Sequence, residues 1–330
     1  MRRRVPGSEL SVGTLSMGVV VSTLALLGCA RPTRDGVEIA GPAPRAPGRV
    51  AFLAVGDGGT GDAGQAKVAG EMERECARRG CDFVALLGDN LYRSGARDAH
   101  DEAFERLFER PYARLAVPFF AAIGNHDEGQ RGLGMSFERG DAQVAYAARS
   151  AKWRMPARFY ALRFDEVEIV VLDTNSLLYD RFVEAQRRRV REWLGGAEGR
   201  FRIVIGHHPL RSVGKHGDAG HYGGLPSIVP VAAGRSVRDF VEDEVCGKAD
   251  LYLAGHDHNL QHLVEGCKGT ELVVSGGGGK PSELVGPGAT RFARAALGFF
   301  RVEVTRDAIT LTAVVDGEDA YTHRILRARG

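Results

Sequence analysis

Residues 253–259 read "LAGHDHN": an apolar run, Leu251 to Ala254, stops at Gly255 and is followed by two imidazoles, His256 and His258. Histidine is the commonest side-chain metal ligand. The loop that follows a buried strand is where open α/β sheets hold their ligands. On its own the stretch fits a polar loop with two unrelated histidines equally well. Four other stretches decide between the two readings.

From Val50 onward, short apolar runs alternate with helix-patterned segments. "VAFLAV" (50–55), "DFVALL" (82–87), "VPFFAAI" (117–123), "FRIVIG" (201–206) and "LYLAG" (251–255) read as buried strands, and "FYALRF" (159–164) with "VEIVVLD" (167–173) as a hairpin. Residues 64–80, 101–112, 181–194 and 236–245 carry helical spacing, the first with Ala66, Ala69, Met72 and Cys76 on one face. After residue 255 the helical pattern stops, and "ELVVSG", "GFFRVEVT", "AITLTAVV" and "YTHRILR" read as successive strands. Alternating β and α followed by a β-rich end predicts an α/β fold of two packed sheets covered by helices.

Five of the strands end alike. They run into "GDGG" with Asp57, "GDNLY" with Asp89 and Tyr92, "GNHD" with Asn125 and His126, "VIGHHP" with His207, and "GHDH" with His256 and His258. Each first polar group follows a glycine, which lets the backbone turn sharply and approach a ligand closely. One such strand end means little, whereas five, all with metal-ligand chemistry, predict a metal site.

These motifs, in this order, resemble the metallophosphoesterases, and specifically the purple acid phosphatases of the small tartrate-resistant type. The family pattern GDxG, GDxxY, GNH[DE], VxxH and GHxH is present without interruption, and the resemblance runs from about Val50 to Gly279, including "GHDHNLQHL" and "VVSGGGG". Two features depart from it: "GDGG" lacks the aromatic residue often found after the aspartate, and residues 217–234 read as an expanded loop. Both bear on substrate preference. The resemblance implies two packed mixed β-sheets flanked by helices, the αββα sandwich. It also implies hydrolysis of phosphate monoesters by in-line attack of metal-bound hydroxide at a binuclear Fe(III)–M(II) centre. It assigns Asp57, Asp89, Tyr92 and His258 to one metal, and Asp89, Asn125, His207 and His256 to the other. Two carboxylates and an ionised phenol suit trivalent iron, and the imidazole-rich set suits divalent Fe, Zn or Mn. The wider superfamily has a ligand histidine where this chain has Gly59, so Tyr92 is its expected replacement. His126 and His216 are the expected phosphate contact and general acid, and His208 stays open as an alternative to His207. The rival functions are a phosphodiesterase or nucleotide pyrophosphatase on the same site, and a non-catalytic metal-binding surface lipoprotein.

The chain has 330 residues, 44% of them hydrophobic, enough for one large domain. Its formal charge of +2 comes from Arg2, Arg3, Arg4 and Glu9; without these four, 41 basic residues face 41 acidic ones. That balance excludes an electrostatic case for nucleic acid as a partner. Residues 1–28 read as a targeting segment: a basic start, an uncharged apolar stretch, then "LLGC" at Leu26–Cys29, which resembles a bacterial lipobox. Residues 29–48 read as a Pro/Gly-rich tether and 49–330 as the catalytic domain. The expectation is an exported monomer, lipid-anchored at Cys29 and facing periplasm or exterior, whose membrane contact is that anchor and whose partner is a phosphate ester. Cys76, Cys81, Cys246 and Cys267 allow two disulfides in such a compartment, pairing as neighbours in sequence.

Overall fold

A computed structural model describes Met1 and residues 35–224, 230–286 and 288–327. The targeting segment and Cys29 lie outside these residues. Among the described residues the strands form two sheets. One has eight strands in the order β1 (Val37–Ala40), β6 (Tyr160–Arg163), β7 (Val167–Val171), β8 (Phe201–Ile205), β9 (Leu251–Ala254), β11 (Glu271–Ser275), β10 (Leu260–Leu263), β12 (Thr290–Arg294). The other has seven, in the order β15 (Glu318–Leu326), β14 (Ala308–Val315), β13 (Gly298–Thr305), β2 (Arg49–Val55), β3 (Phe83–Leu86), β4 (Phe119–Ala121), β5 (Trp153–Arg154). Both sheets are mixed: β2, β3 and β4 run parallel, as do β8, β9 and β11, while β13 to β15 form an antiparallel meander. The helices are α1 (Ala63–Arg79), α2 (Phe137–Tyr146), α3 (Thr174–Leu178), α4 (Val183–Gly195), α5 (Pro230–Ala233) and α6 (Arg235–Glu244).

Strand alternation builds the layers. Ile203, Ile205, Leu251 and Leu253 join the core that also holds Phe52, Phe83 and Phe120 of the second sheet. Their neighbours Val204, Tyr252 and Ala254 face the other way, into a core with Val190 and Trp193 of α4 and Val237, Phe240 and Val241 of α6. Successive side chains of a strand point to opposite faces, so a strand covered on both sides must be apolar throughout. This is why "LYLAG" shows no polar alternation. Phe83 is fully buried, stacked on Phe52 at 4.7 Å and meeting Phe120 edge-on at 5.5 Å. Helix α1 begins where Asp62 accepts the N–H groups of Gly64 and Gln65, two donors that no helical carbonyl can reach. It ends against the bridge Cys76–Cys81, and Cys246–Cys267 closes the loop around β9 and β10.

Two expectations need correction, and three elements lie where none was expected. Part of the segment read as a tether is structure: Val37–Ala40 pairs in parallel with Tyr160–Arg163 at a sheet edge. Its four residues, "VEIA", are too short for periodicity to register. The segment 101–112, expected to be helical as far as its proline, does end its helix just before Pro111, but the helix is a five-residue π-helix, Glu105–Glu109. Strands β10 and β12 and helix α2 lie in segments to which the sequence pattern assigns no element. Among the described residues no helix is long and apolar enough to cross a membrane.

Candidate metal centre

The parallel strands β2, β3, β4, β8 and β9 all deliver their carboxyl ends to one place. The turns that follow are tight: Asp57, Asp89 and His256 take φ values of 61°, 54° and 71°, the left-handed region that side chains usually avoid. The glycine before Asp89 has φ 90°, and a Cβ there would lie 2.6 Å from Nδ1 of His207. Glycine is required at that position because a backbone from one sheet meets an imidazole from the other.

Seven side chains singled out in the sequence converge in two groups. In the first, the Tyr92 hydroxyl lies 2.9 Å from Oδ2 of Asp89, 3.3 Å from Oδ1 of Asp57 and 3.1 Å from Nε2 of His258. Nδ1 of His258 faces the Lys280 carbonyl at 3.1 Å, which only accepts, so Nδ1 carries the proton and Nε2 presents a lone pair. One phenolic proton thus faces three acceptors. In the second group, Nε2 of His207 lies 2.9 Å from Oδ1 of Asn125, 3.5 Å from Oδ1 of Asp89 and 3.2 Å from Nδ1 of His256. Nδ1 of His207 donates to the Leu87 carbonyl at 2.9 Å, and the Asn125 amide nitrogen donates to the Gly132 carbonyl at 2.7 Å. Both bonds turn lone pairs inward. A proton on His256 Nδ1 can serve His207, but Asn125 and Asp89 still present oxygens to the same nitrogen. Asp89 belongs to both groups, one carboxylate oxygen to each.

Lone pairs held against one another are what a cation resolves, so the donor set fits metal binding, with Asp89 facing both groups. Electrostatics agree. Burial, and then Asp89, push the Asp57 carboxyl well above its ordinary range. Burial and the two carboxylates push the Tyr92 phenol well above its own. Burial lowers the imidazoles of His207 and His256, and takes His258 down to about 4. Such a site holds neutral imidazoles ready to coordinate, and gives up its acidic protons only to another positive charge.

His126 and His216 flank the two groups. His126 packs against Tyr92, ring centroids 4.6 Å apart, with Nδ1 at the Arg93 carbonyl; His216 lies over His256, centroids 4.2 Å apart. His208 is brought close but turned to other work. Oγ1 of Thr174 accepts the backbone N–H groups of His207 and His208, so its own proton goes to Nδ1 of His208, 2.9 Å away. That leaves a proton, rather than a lone pair, on the other nitrogen of His208.

Several positioning residues escaped the sequence reading. Buried Asp127 accepts the backbone N–H groups of Asn90, Leu91 and Gly124, tying the loop of Asp89 to that of Asn125. Burial and Asp89 raise its carboxyl to about 7. Buried Asp257 accepts the backbone N–H of His216 at 3.0 Å and a bond from the Ser212 hydroxyl. Arg158 clamps Glu128 to Asp173, which caps α3, and so holds the short turn of His126 against that helix. A signal for the first two was present: "GNHD" and "GHDH" each carry one carboxylate more than the ligand count requires.

The calcineurin-like phosphoesterase family matches residues 50–260. Human tartrate-resistant acid phosphatase type 5 is 31% identical over 317 residues, covering 84% of this chain and 90% of that protein. The rat protein is 33% identical, covering 69% and 72%, and purple acid phosphatase 17 of Arabidopsis thaliana is 29% identical, covering 71% and 69%. Among solved structures, GAP50, the anchor in the inner membrane complex of Plasmodium, superposes with a TM-score of 0.67 at 21% identity, covering 85% of this chain and 90% of that one. PhoD superposes with a TM-score of 0.54 at 15% identity, covering 88% and 71%. These two show the shared fold. With its fold, its five strand-end motifs and its converging donors, this chain belongs to the calcineurin-like phosphoesterases, metal-dependent phosphoester hydrolases, in the branch of the tartrate-resistant and purple acid phosphatases.

Proposed function

We propose that this protein is an acid phosphatase that hydrolyses phosphate monoesters at a binuclear centre of Fe(III) and a divalent Fe, Zn or Mn. The observation that carries the reading is Asp89, whose two oxygens face two separate donor groups. Asp57, Asp89, Tyr92 and His258 would hold the trivalent ion, and Asp89, Asn125, His207 and His256 the divalent one. When bound, such a pair supplies Lewis acidity: charge neutralisation at phosphorus and a lowered pKa of water.

The chain's own residues do the rest. The Leu87 and Lys280 carbonyls fix the tautomers of His207 and His258, and the Gly132 carbonyl fixes the Asn125 amide. Displacement at phosphorus runs in line, a water oxygen entering opposite the ester oxygen that leaves. His216, held by Asp257, returns a proton to that leaving oxygen, and His126 hydrogen-bonds a phosphoryl oxygen. The protein is exported and anchored through a lipid on Cys29; two disulfides support an oxidising compartment.

A panel of monoesters and diesters, assayed across acid and neutral pH, tests the substrate class: monoesters should win by at least about tenfold, and a preference for diesters would make the protein a phosphodiesterase. His216→Ala should slow alkyl phosphates far more than nitrophenyl phosphate, whose leaving group needs no proton, at unchanged metal content. A uniform loss across leaving groups would assign His216 to binding.

A further inference from the structure

Two histidines and a glutamate meet away from the strand-end motifs. His262 lies on β10, Glu271 begins β11, and His323 lies on β15, so two residues come from the eight-stranded sheet and one from the edge of the other. Nε2 of His262 is 2.7 Å from Oε2 of Glu271, and Nε2 of His323 is 3.5 Å from Oε1. The three donor atoms lie within 4.8 Å of one another. A tetrahedral ion with bonds of about 2.0–2.1 Å wants its donors about 3.3 Å apart, so closure takes roughly 1 Å of side-chain adjustment. The His262 side chain is fully buried, with Nδ1 3.0 Å from the Tyr321 hydroxyl. A metal-binding imidazole ordinarily has such a partner on its second nitrogen, which fixes its orientation.

We propose that His262, Glu271 and His323 form a zinc site that ties the edge strand β15 to the opposite sheet. The set is two imidazoles and one carboxylate, a combination that suits a borderline divalent ion. Without metal, His262 donates its Nε2 proton to Glu271, and its Nδ1 bonds the Tyr321 hydroxyl. With metal, Nε2 turns its lone pair to the ion and the proton sits on Nδ1. The Tyr321 hydroxyl suits both states, because it can donate or accept. Water completes the coordination.

The site has a place to act. No residue of β15 is fully buried, yet this strand closes one edge of its sheet. Tyr321 stacks on Phe292 at 5.0 Å, so an ion here would extend an existing contact between the sheets. One group opposes it: Nε of Arg291 lies 3.8 Å from Oε2 of Glu271, on a side chain 40% exposed that can turn to water.

The inference is independent of the catalytic reading and is tested with the full metal-loaded protein. Crystals soaked in zinc, measured at the zinc absorption edge, should show an anomalous peak among His262, Glu271 and His323. In solution, His323→Ala and Glu271→Gln should each bind one zinc fewer per chain than the parent, with phosphatase activity unchanged. Arg291→Gln should tighten that zinc severalfold. His323 is partly exposed on an edge strand, so its replacement leaves the fold intact, whereas His262 is too buried to serve. Absence of the peak at saturating zinc, or equal zinc content in parent and variants, would overturn the proposal and leave a hydrogen-bonded trio.

Discussion

At the scale of single residues, the centre rests on how each lone pair is aimed. Asp89 is the shared group, so Asp89→Asn should deplete both metals, whereas His207→Ala should chiefly cost the divalent one. Metal analysis of the purified variants checks this, and full occupancy of both sites in the Asp89 variant would contradict the bridge. His208→Ala should keep both metals, because with the Thr174 hydroxyl donating to its Nδ1 the imidazole carries a proton, not a lone pair, on its other nitrogen. Much of this was legible in the sequence, since carboxylate, amide, phenol and imidazole each stand directly after a strand and its glycine. What was not legible is which of two adjacent histidines turns inward. Strand alternation sends one to each side, but the choice depends on Thr174, more than thirty residues earlier in the chain, whose pairing with that loop only the folded sheet creates. Asp127 and Asp257 escaped for a related reason: each is tied to backbone N–H groups of another loop, which the sequence does not display.

At the scale of elements, apolar runs with no alternation marked the central strands well, because those strands are covered on both faces. The reading failed where pattern is short or weak. Four residues of β1 give no period, and the burial of β12 is nowhere complete, so neither was visible. The π-helix at Glu105–Glu109 has five residues, little more than one turn, too few for its wider period to register in the apolar spacing. The layered core makes its own prediction. Phe83 lies between three other rings, so Phe83→Ala should cost about 3–5 kcal/mol of stability by denaturant titration, through lost burial and a residual cavity. A cost under about 1 kcal/mol would mean the two sheets collapse freely onto the gap.

At the scale of the whole molecule, folding and metal binding are one problem. Bringing five strand ends together buries carboxylates and imidazoles that water would otherwise solvate, and cations are the compensation. The pH dependence follows in sign. The Asp57 carboxyl and Tyr92 phenol, both raised by burial, hold protons that metals must displace; His258, at about 4, is already proton-free above that pH. Raising the pH removes the competing protons, so metal affinity rises with pH. The stability that metals confer is present near neutrality and is lost on acidification toward the carboxyl range. Metal titration in weak buffer near pH 6 should release protons, and affinity should fall as the pH is lowered; uptake with no proton release would contradict the assignment of Asp57 and Tyr92.

The central claim is that Tyr92 is an ionised ligand of trivalent iron beside a second metal, and light tests it most directly. Phenolate can pass electron density to Fe(III) on absorbing a visible photon, and none of the other assigned ligands offers a comparable donor orbital. The purified, active, metal-replete protein should be violet or pink and carry two metals per chain, at least one of them iron. The band should disappear in Tyr92→Phe, persist on mild reduction of iron in the divalent position, and bleach when the trivalent iron is reduced. A fully metallated and active protein without visible absorption would contradict the account, leaving a colourless metallophosphoesterase in which Tyr92 binds no metal.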